Sequence, residues 1–282
     1  MSLLWLNGTL TDKLDARVSP FDHGLLYGDG VWEHLRVFNG ALFRASHHLR
    51  ILFAAAQAVG IDIPLSEAEL LAAIEATAKA NNRTEGYVRV IVTRGPGTIG
   101  PDPRKIEPQV IVIAEEYQPF PHELAGHGLH AVVSPLVLDT ENPAHRSRTL
   151  NQLHVVRAKQ HALQNGCLEA LFRDQAGHLV GATEGFLFVV KDGALVVAGG
   201  QSEDATGYAI AGMAGDAGLV VAEYTVTLED LLTAEEAFIA GTACGVVGIV
   251  RVDGKHIRTG SEGPITRAIR EGYQQLTRGE SR

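Results

Sequence analysis

The spacing of apolar residues along this chain switches between two and three-to-four, and the switches mark out its elements. Residues 3 to 18 alternate as short strands around an Asn7-Gly8 turn signal, and residues 30 to 45 do the same around Asn39-Gly40. From Ser46 to Val59 the period becomes helical, with Leu49, Leu52, Phe53 and Ala56 on one face. A second helix is predicted after Ser66, an N-cap with Glu69 three residues on, and it stops at Asn81-Asn82. Strands follow at 87 to 93 and 109 to 114, separated by a Gly/Pro loop, and 115 to 127 reads as a connection between domains. Beyond it the pattern gives a strand at 129 to 135, a loop at 136 to 148 and a helix at 149 to 165. Strands come next at 168 to 173, 186 to 190 and 194 to 198, then a helix at 206 to 215. Strands near 219 to 226 and 236 to 241, a hairpin at 246 to 258 turned by Asp253-Gly254, and a helix from Pro264 to Thr277 complete the chain. This is an α+β chain with two strand-rich halves and no internal repeat.

Composition narrows the class of function. Over 282 residues, 45% are hydrophobic and 20% charged, as in a globular protein large enough for two domains. The formal charge of −9, with no basic run, argues against a phosphate-backbone binder. Cys167 and Cys244 form neither a disulfide framework nor a metal-ligand spacing. The opening MSLLWLNGTLTDKLD lacks a signal-peptide pattern, and no apolar run reaches membrane-spanning length. A cytoplasmic protein that engages neither nucleic acid nor membrane is the expectation.

Five segments carry something more specific. They are SPFDHGLLYGDGVWEHLRVFNGALFRASHHL (19 to 49), TRGPGTIGPDPRK (93 to 105), HRSRTLNQLHVVRAKQHALQNGCLEAL (145 to 171), ATEGFLFVVKDG (182 to 193) and FIAGTACGVVGIVRVDGKHI (238 to 257). With GPITRAIREGYQQL (263 to 276) they resemble, in order, the motifs of the class IV aminotransferases. These are fold-type IV enzymes using pyridoxal phosphate (PLP), a group that includes branched-chain and D-amino-acid aminotransferases and aminodeoxychorismate lyases. The resemblance implies a two-domain, D-amino-acid-aminotransferase-like fold: a small α/β domain over 1 to 117, a connection at 118 to 123 and a larger domain over 124 to 282. It also implies a homodimer.

The resemblance singles out one exchange. The family's Schiff-base lysine falls at Arg148, with Ser147 beside it. A guanidinium offers no free amine near neutrality, so neither Schiff-base formation nor proton shuttling is open to it. By the same resemblance Glu184 stands where the family's glutamate meets the ring nitrogen, and Gly241-Thr242 where the phosphate is touched. The family's His-x-x-Arg-Leu is altered: Ile51 follows His48 at the arginine position, and Arg50 is one residue early, rotated by about 100° on a helix. The Gly-Ile-Thr-Arg element at a helix N-terminus is matched to Gly207-Tyr208-Ala209-Ile210, without hydroxyl or arginine. The strand after Glu184 is shortened, with Phe186, Leu187 and Phe188 replacing polar residues. The remaining lysines, Lys159 among them, read as solvated charges.

What such a site could do follows from its residue types. Arg148 with Thr242 could hold an anionic metabolite, through the guanidinium fork. Cys244 could act as a nucleophile with a thiol pKa lowered by the guanidinium, or be a small buried residue. His145, in the loop before Arg148, is a candidate acid or base. Tyr27, Trp32 and Arg36 match small-domain positions that face the substrate in the family. Three readings stay open: PLP-independent chemistry on an anionic small molecule, a non-catalytic binding or regulatory relative, and weak transamination with PLP bound noncovalently. No metal and no covalently held cofactor is expected.

Overall fold

A computed structural model describes residues 2–146, 148–200 and 204–280, so Ser147 lies outside the described residues. The chain divides into two compact units: residues 1–117, 140–152 and 280–282 in unit 1, and 118–139 with 153–279 in unit 2. The segment 140 to 152, expected in the second domain, groups with the first.

Unit 1 runs β1 (Leu3–Leu6), β2 (Thr9–Asp12), α1 (His23–Tyr27), β3 (Gly30–Phe38), β4 (Ala41–Leu42), α2 (Ala45–Ala58), α3 (Glu67–Ala80), β5 (Gly86–Thr93) and β6 (Gln109–Glu115), with the short α4 (Pro143–Arg146) from the returning segment. The strands form one sheet in the order β2-β1-β6-β5-β3-β4. Period-2 patterning sends Val31, Leu35 and Val37 of β3, with Val88, Val90 and Val92 of β5, into a core that Leu49 and Leu52 of α2 and Leu70 and Ile74 of α3 close. The opposite face of the same strands carries Trp32, His34 and Arg36, register partners of Ile91, Arg89 and Tyr87. Ser66 caps α3 in a full capping box with Glu69.

Unit 2 contains β7 (Leu129–Leu138), α5 (Leu153–Gln164), β8 (Glu169–Asp174), β9 (Leu179–Ala182), β10 (Phe186–Lys191), β11 (Ala194–Val197), α6 (Ala205–Ala214), β12 (Val220–Ala222), α7 (Leu228–Thr233), β13 (Glu236–Gly241), β14 (Gly245–Val252), β15 (Lys255–His256) and α8 (Pro264–Glu280). Its sheet follows β12-β11-β10-β13-β14-β7-β8-β9, with β15 pairing β14. The apolar run at 186 to 190 has a packing reason. Phe188 and Phe238 are opposite each other in register on β10 and β13 and stack at 4.9 Å, both fully buried.

The helix expected at 149 to 165 starts only at Leu153. Residues 148 to 150 instead extend the sheet of unit 1: Trp32 N donates to Arg148 O at 2.9 Å, Leu150 N to Gly30 O at 2.9 Å, and Thr149 bridges Val31. Among the described residues no helix is long and apolar enough to cross a membrane. Ser66→Ala should lower the unfolding free energy by about 1 kcal/mol, because it removes the hydroxyl that accepts from Glu69 N while the Glu69 carboxylate keeps the amide of residue 66. Urea denaturation followed by circular dichroism reads this directly.

Candidate functional site

In unit 1 the site is built along the free flank of β3. Gly28, at φ 68, and Gly30 leave room there for the returning segment. A Cβ on Gly28 would meet Asn151 Oδ1 at 2.7 Å, and one on Gly30 would meet Leu150 Cδ1 at 2.6 Å. Asn151 Nδ2 donates to Gly28 O at 3.1 Å and Trp32 Nε1 to Thr149 O at 3.1 Å, so the backbone just after Arg148 is fixed.

The Arg148 guanidinium then meets three groups of β3. Its Nε lies 3.1 Å from Glu33 Oε2, its Nη1 lies 3.5 Å from His34 Nε2, and its Cζ sits 5.5 Å from the Trp32 ring centre. The contact with Glu33 is an ion pair by distance, without an N–H directed at the oxygen. Glu33 is fully buried; its Oε1 accepts from His34 N at 2.9 Å and lies 3.2 Å from Nδ1 of the equally buried His48. Within unit 1 the carboxylate beside Arg148 is thus Glu33.

The neighbouring groups extend this network. Arg148 donates to His34 Nε2, so in the neutral ring Nδ1 carries the hydrogen and donates to Tyr87 Oη at 2.6 Å. Arg89 Nη2 reaches the same hydroxyl at 3.4 Å, and its guanidinium lies 4.3 Å over Trp32. Burial, then the charges of Arg148, His48 and Arg89, hold the His34 pKa well below the ordinary imidazole value. Burial raises the Tyr87 phenol, so it stays protonated at neutral pH. Arg36 points its Nη1 to Tyr117 O at 3.1 Å. Tyr27 is taken up by the 93 to 105 loop, its hydroxyl donating to Ile99 O. His145 lies half-buried in α4, its backbone N donating to Asn142 O at 2.9 Å. Arg50 is exposed on α2 beside His47.

Unit 2 holds a second cluster. Glu184 sits in the turn between β9 and β10, and its Oε1 accepts from Lys159 Nζ at 3.1 Å. Lys159 also donates to Leu168 O at 2.7 Å and lies 5.0 Å from the Phe120 ring centre. This corrects the reading of Lys159 as a solvated charge. Because α5 starts late, Lys159 stands in its second turn, and its ammonium turns to a carboxylate. The turn is held by Glu169, buried at the start of β8, whose Oε1 accepts from Thr183 N and Ala170 N at 2.8 Å each and from the Thr183 hydroxyl. Burial lifts the Glu169 pKa to about 7 against those hydrogen bonds and the charge of Lys159.

Close backbone approach defines the rest. A Cβ on Gly185 would meet Ala240 O at 2.5 Å, and one on Gly241 would meet Glu184 O at 2.7 Å. The end of β13 is thereby pressed onto the Glu184 turn. Thr242 follows, buried, with its Oγ1 3.5 Å from Thr206 Oγ1, which in turn lies 3.4 Å from Tyr273 Oη. Thr206 is in the first turn of α6, whose N-cap is Asp204. The Asp204 side chain accepts from Thr206 N at 2.8 Å and is 3% exposed. The helix N-terminus therefore lies three residues before the Gly207-Tyr208 match, and it does have a hydroxyl, from Thr206. Gly207 is buried inside the first turn and Tyr208 is 63% exposed.

Cys244 fails as an activated thiol. Its Sγ faces the carbonyls of Gly245, Glu184 and Gly241 at 3.4, 3.5 and 3.8 Å. Burial, then the Glu169 and Glu184 carboxylates, push its pKa well above the ordinary thiol value, so it is a protonated packing residue at neutral pH.

The comparisons with known proteins agree with this architecture. The family profile described as Amino-transferase class IV matches residues 30–252. A putative branched-chain-amino-acid aminotransferase of Methanocaldococcus jannaschii is 38% identical, over 97% of this chain and 96% of its own length. A D-alanine aminotransferase of Staphylococcus epidermidis is 27% identical over all of both chains. The structure of the branched-chain amino acid aminotransferase of Escherichia coli superposes with a TM-score of 0.92, at 28% identity, covering this whole chain and 96% of that one. The branched-chain aminotransferase of the archaeon Thermoproteus uzoniensis, solved with norvaline, superposes with a TM-score of 0.90. It is also 28% identical, over 99% of this chain and 95% of its own. The protein belongs to the class IV aminotransferase family and has the fold-type IV architecture.

Sequence reasoning missed Glu33, His34, Tyr87, Arg89, Lys159, Glu169, Asp204 and Thr206. Strand alternation was signal enough for His34, Tyr87 and Arg89, since Trp32-x-His34-x-Arg36 and Tyr87-x-Arg89 place their side chains on one face.

Two outcomes follow. Gly185→Ala should destabilise by roughly 1–3 kcal/mol, since its Cβ has only backbone to displace; chemical denaturation measures it. His34 titrates lower folded than unfolded, so below about pH 6.5 the unfolded chain binds more protons and stability falls as pH falls. Wild type should lose more stability than His34→Asn between pH 7 and about 5. Parallel pH profiles for the two would show that His34 is not held neutral.

Proposed function

We propose that this chain is a class IV aminotransferase relative that binds a carboxylated small molecule on the β3–β5 face of unit 1 and forms no Schiff base at position 148. The observation that carries the reading is the donor array on that face. Arg148, Arg89 and Arg36 are cations. The Tyr87 oxygen receives His34 and Arg89, which leaves its own O–H as a donor. A face built of guanidinium forks, a phenol and an indole is complementary to a planar anion. The relatives, a branched-chain-amino-acid and a D-alanine aminotransferase by name, point to amino acids and their 2-oxo acids, which carry that carboxylate.

PLP, which the family implies, does not fit the residues present. Its phosphate would meet the buried Asp204 carboxylate at the α6 N-terminus, and its ring nitrogen would find Glu184 already paired with Lys159. The chain is then a binding protein or a PLP-independent enzyme. The second reading, amino-acid transamination, is favoured by the 38% identity to a relative named as an aminotransferase. The assembly we propose is a homodimer, which light scattering checks.

Isothermal titration with 4-methyl-2-oxopentanoate tests the site. Arg89→Ala and Arg148→Met should each weaken binding roughly 10- to 150-fold, the loss of one charged hydrogen bond. Arg89 is exposed, so its variant leaves the core intact. Unchanged affinity in both, or a borohydride-reducible chromophore on the wild-type protein, would sink the reading. Arg148→Lys alone should not bring strong transamination, since Asp204 and Ile51 remain at the phosphate-binding positions.

A further inference from the structure

We propose that unit 2 carries internal stand-ins for the two charged groups of a phosphorylated pyridine: the Asp204 carboxylate in place of the phosphate, and the Lys159 ammonium in place of the ring cation. The lobe is then complete without a cofactor. This deepens the reading above, which concerns unit 1, and makes a separate claim about what stabilises unit 2.

The phosphate side is defined by three features. Helix α6 is ten residues long, and its first-turn amides and dipole favour an anion. Two buried hydroxyls, of Thr206 and Thr242, lie 3.5 Å apart beside that end. The anion present is the chain's own: Asp204 accepts from Thr206 N at 2.8 Å, and its charge is felt at Cys244. A dianion brought to the same amides would meet a buried like charge.

The ring side has the opposite polarity. By resemblance, Glu184 is the carboxylate that faces a pyridinium. Here it faces Lys159 Nζ at 3.1 Å, an ammonium held in place by Leu168 O at 2.7 Å and by the Phe120 ring. Gly185 and Gly241 press the turn and the end of β13 together, and Glu169 fixes Thr183 beside it, so the carboxylate stands in a rigid frame. Each stand-in has the charge sign of the group it replaces.

Thermal unfolding tests this with the full chain, alone and with inorganic phosphate, pyridoxal or pyridoxal phosphate added in excess. Wild-type Tm should not move with any of the three. Asp204→Asn should lower Tm by roughly 2–4 °C, the effect of a weakened cap in a domain of this size, and inorganic phosphate should return the loss. Lys159→Met should lower Tm too, and pyridoxal should raise it. If Asp204→Asn does not fold, Asp204→Ser keeps a neutral cap and answers the same question. Wild type stabilised by pyridoxal phosphate but not by pyridoxal would overturn the inference, as would an Asp204 variant blind to phosphate. Either result leaves the unit 1 reading standing, because that reading fails on the 2-oxo acid titration or the reducible chromophore instead.

Discussion

The buried carboxylate of Glu33 is the constraint on which unit 1 depends. It sits in the middle of β3, fully enclosed, and an ion of that size removed from water costs several kcal/mol unless its oxygens are met. Three groups meet it: the amide of His34, the ring of His48 from α2, and the guanidinium of Arg148 from the returning segment. One acid thus ties a strand, a helix and a loop from a hundred residues away. Removing any one partner of such a group costs about 3–5 kcal/mol, because the remaining charge has nowhere to go. Arg148 is therefore first a structural ion-pair member.

Arginine is suited to this double duty in a way that lysine is not. A guanidinium has five N–H donors on a planar fork and keeps its charge at any pH the protein meets. It can face Glu33 with Nε while Nη1 donates to His34, which sets the tautomer that in turn orients Tyr87. An ammonium has one nitrogen and would have to choose. One planar guanidinium at position 148 thus meets both Glu33 and His34, and through His34 it organises the donors around Tyr87.

How much of this was legible in the sequence depended on range. The hairpins at Asn7-Gly8 and Asn39-Gly40, the Ser66 capping box and β13 were readable because turn chemistry and caps act over four residues. The family was readable because its motifs lie in order along the chain. The helix at 149 was misjudged because residues 148 to 150 are held by β3, a partner more than a hundred positions away, and the local pattern continued smoothly across that boundary. The late start puts Lys159 in the second turn of α5, where it pairs with Glu184. The start of α6 was read to within one residue, but its cap was missed: the glycine at 207 drew the family's motif, whereas the cap is Asp204, an N-cap residue type whose side chain accepts from the Thr206 amide. Glu33 looked like part of a signature string, and nothing in the string says that a carboxylate is buried.

The departures at 148 and 204 follow one physical logic. Schiff-base chemistry on a phosphorylated cofactor needs an amine that can lose its proton and a helix end that is open to an anion. At position 148 the chain has a cation that does not lose its proton in the neutral range. At position 204 it has a side-chain acceptor that closes the helix end from within. Each change alone would leave a defect: a guanidinium without a carboxylate, or an acid buried without donors. Neither defect is present, since Glu33 meets the first and the Thr206 amide meets the second. Lys159 opposite Glu184 adds a third such pair, because a carboxylate at low exposure needs a counter-charge. Each of these charges has a partner within the chain. A site that waited for a ligand to supply them would leave unpaired charges at low exposure, and these are among the most costly features a native state can hold.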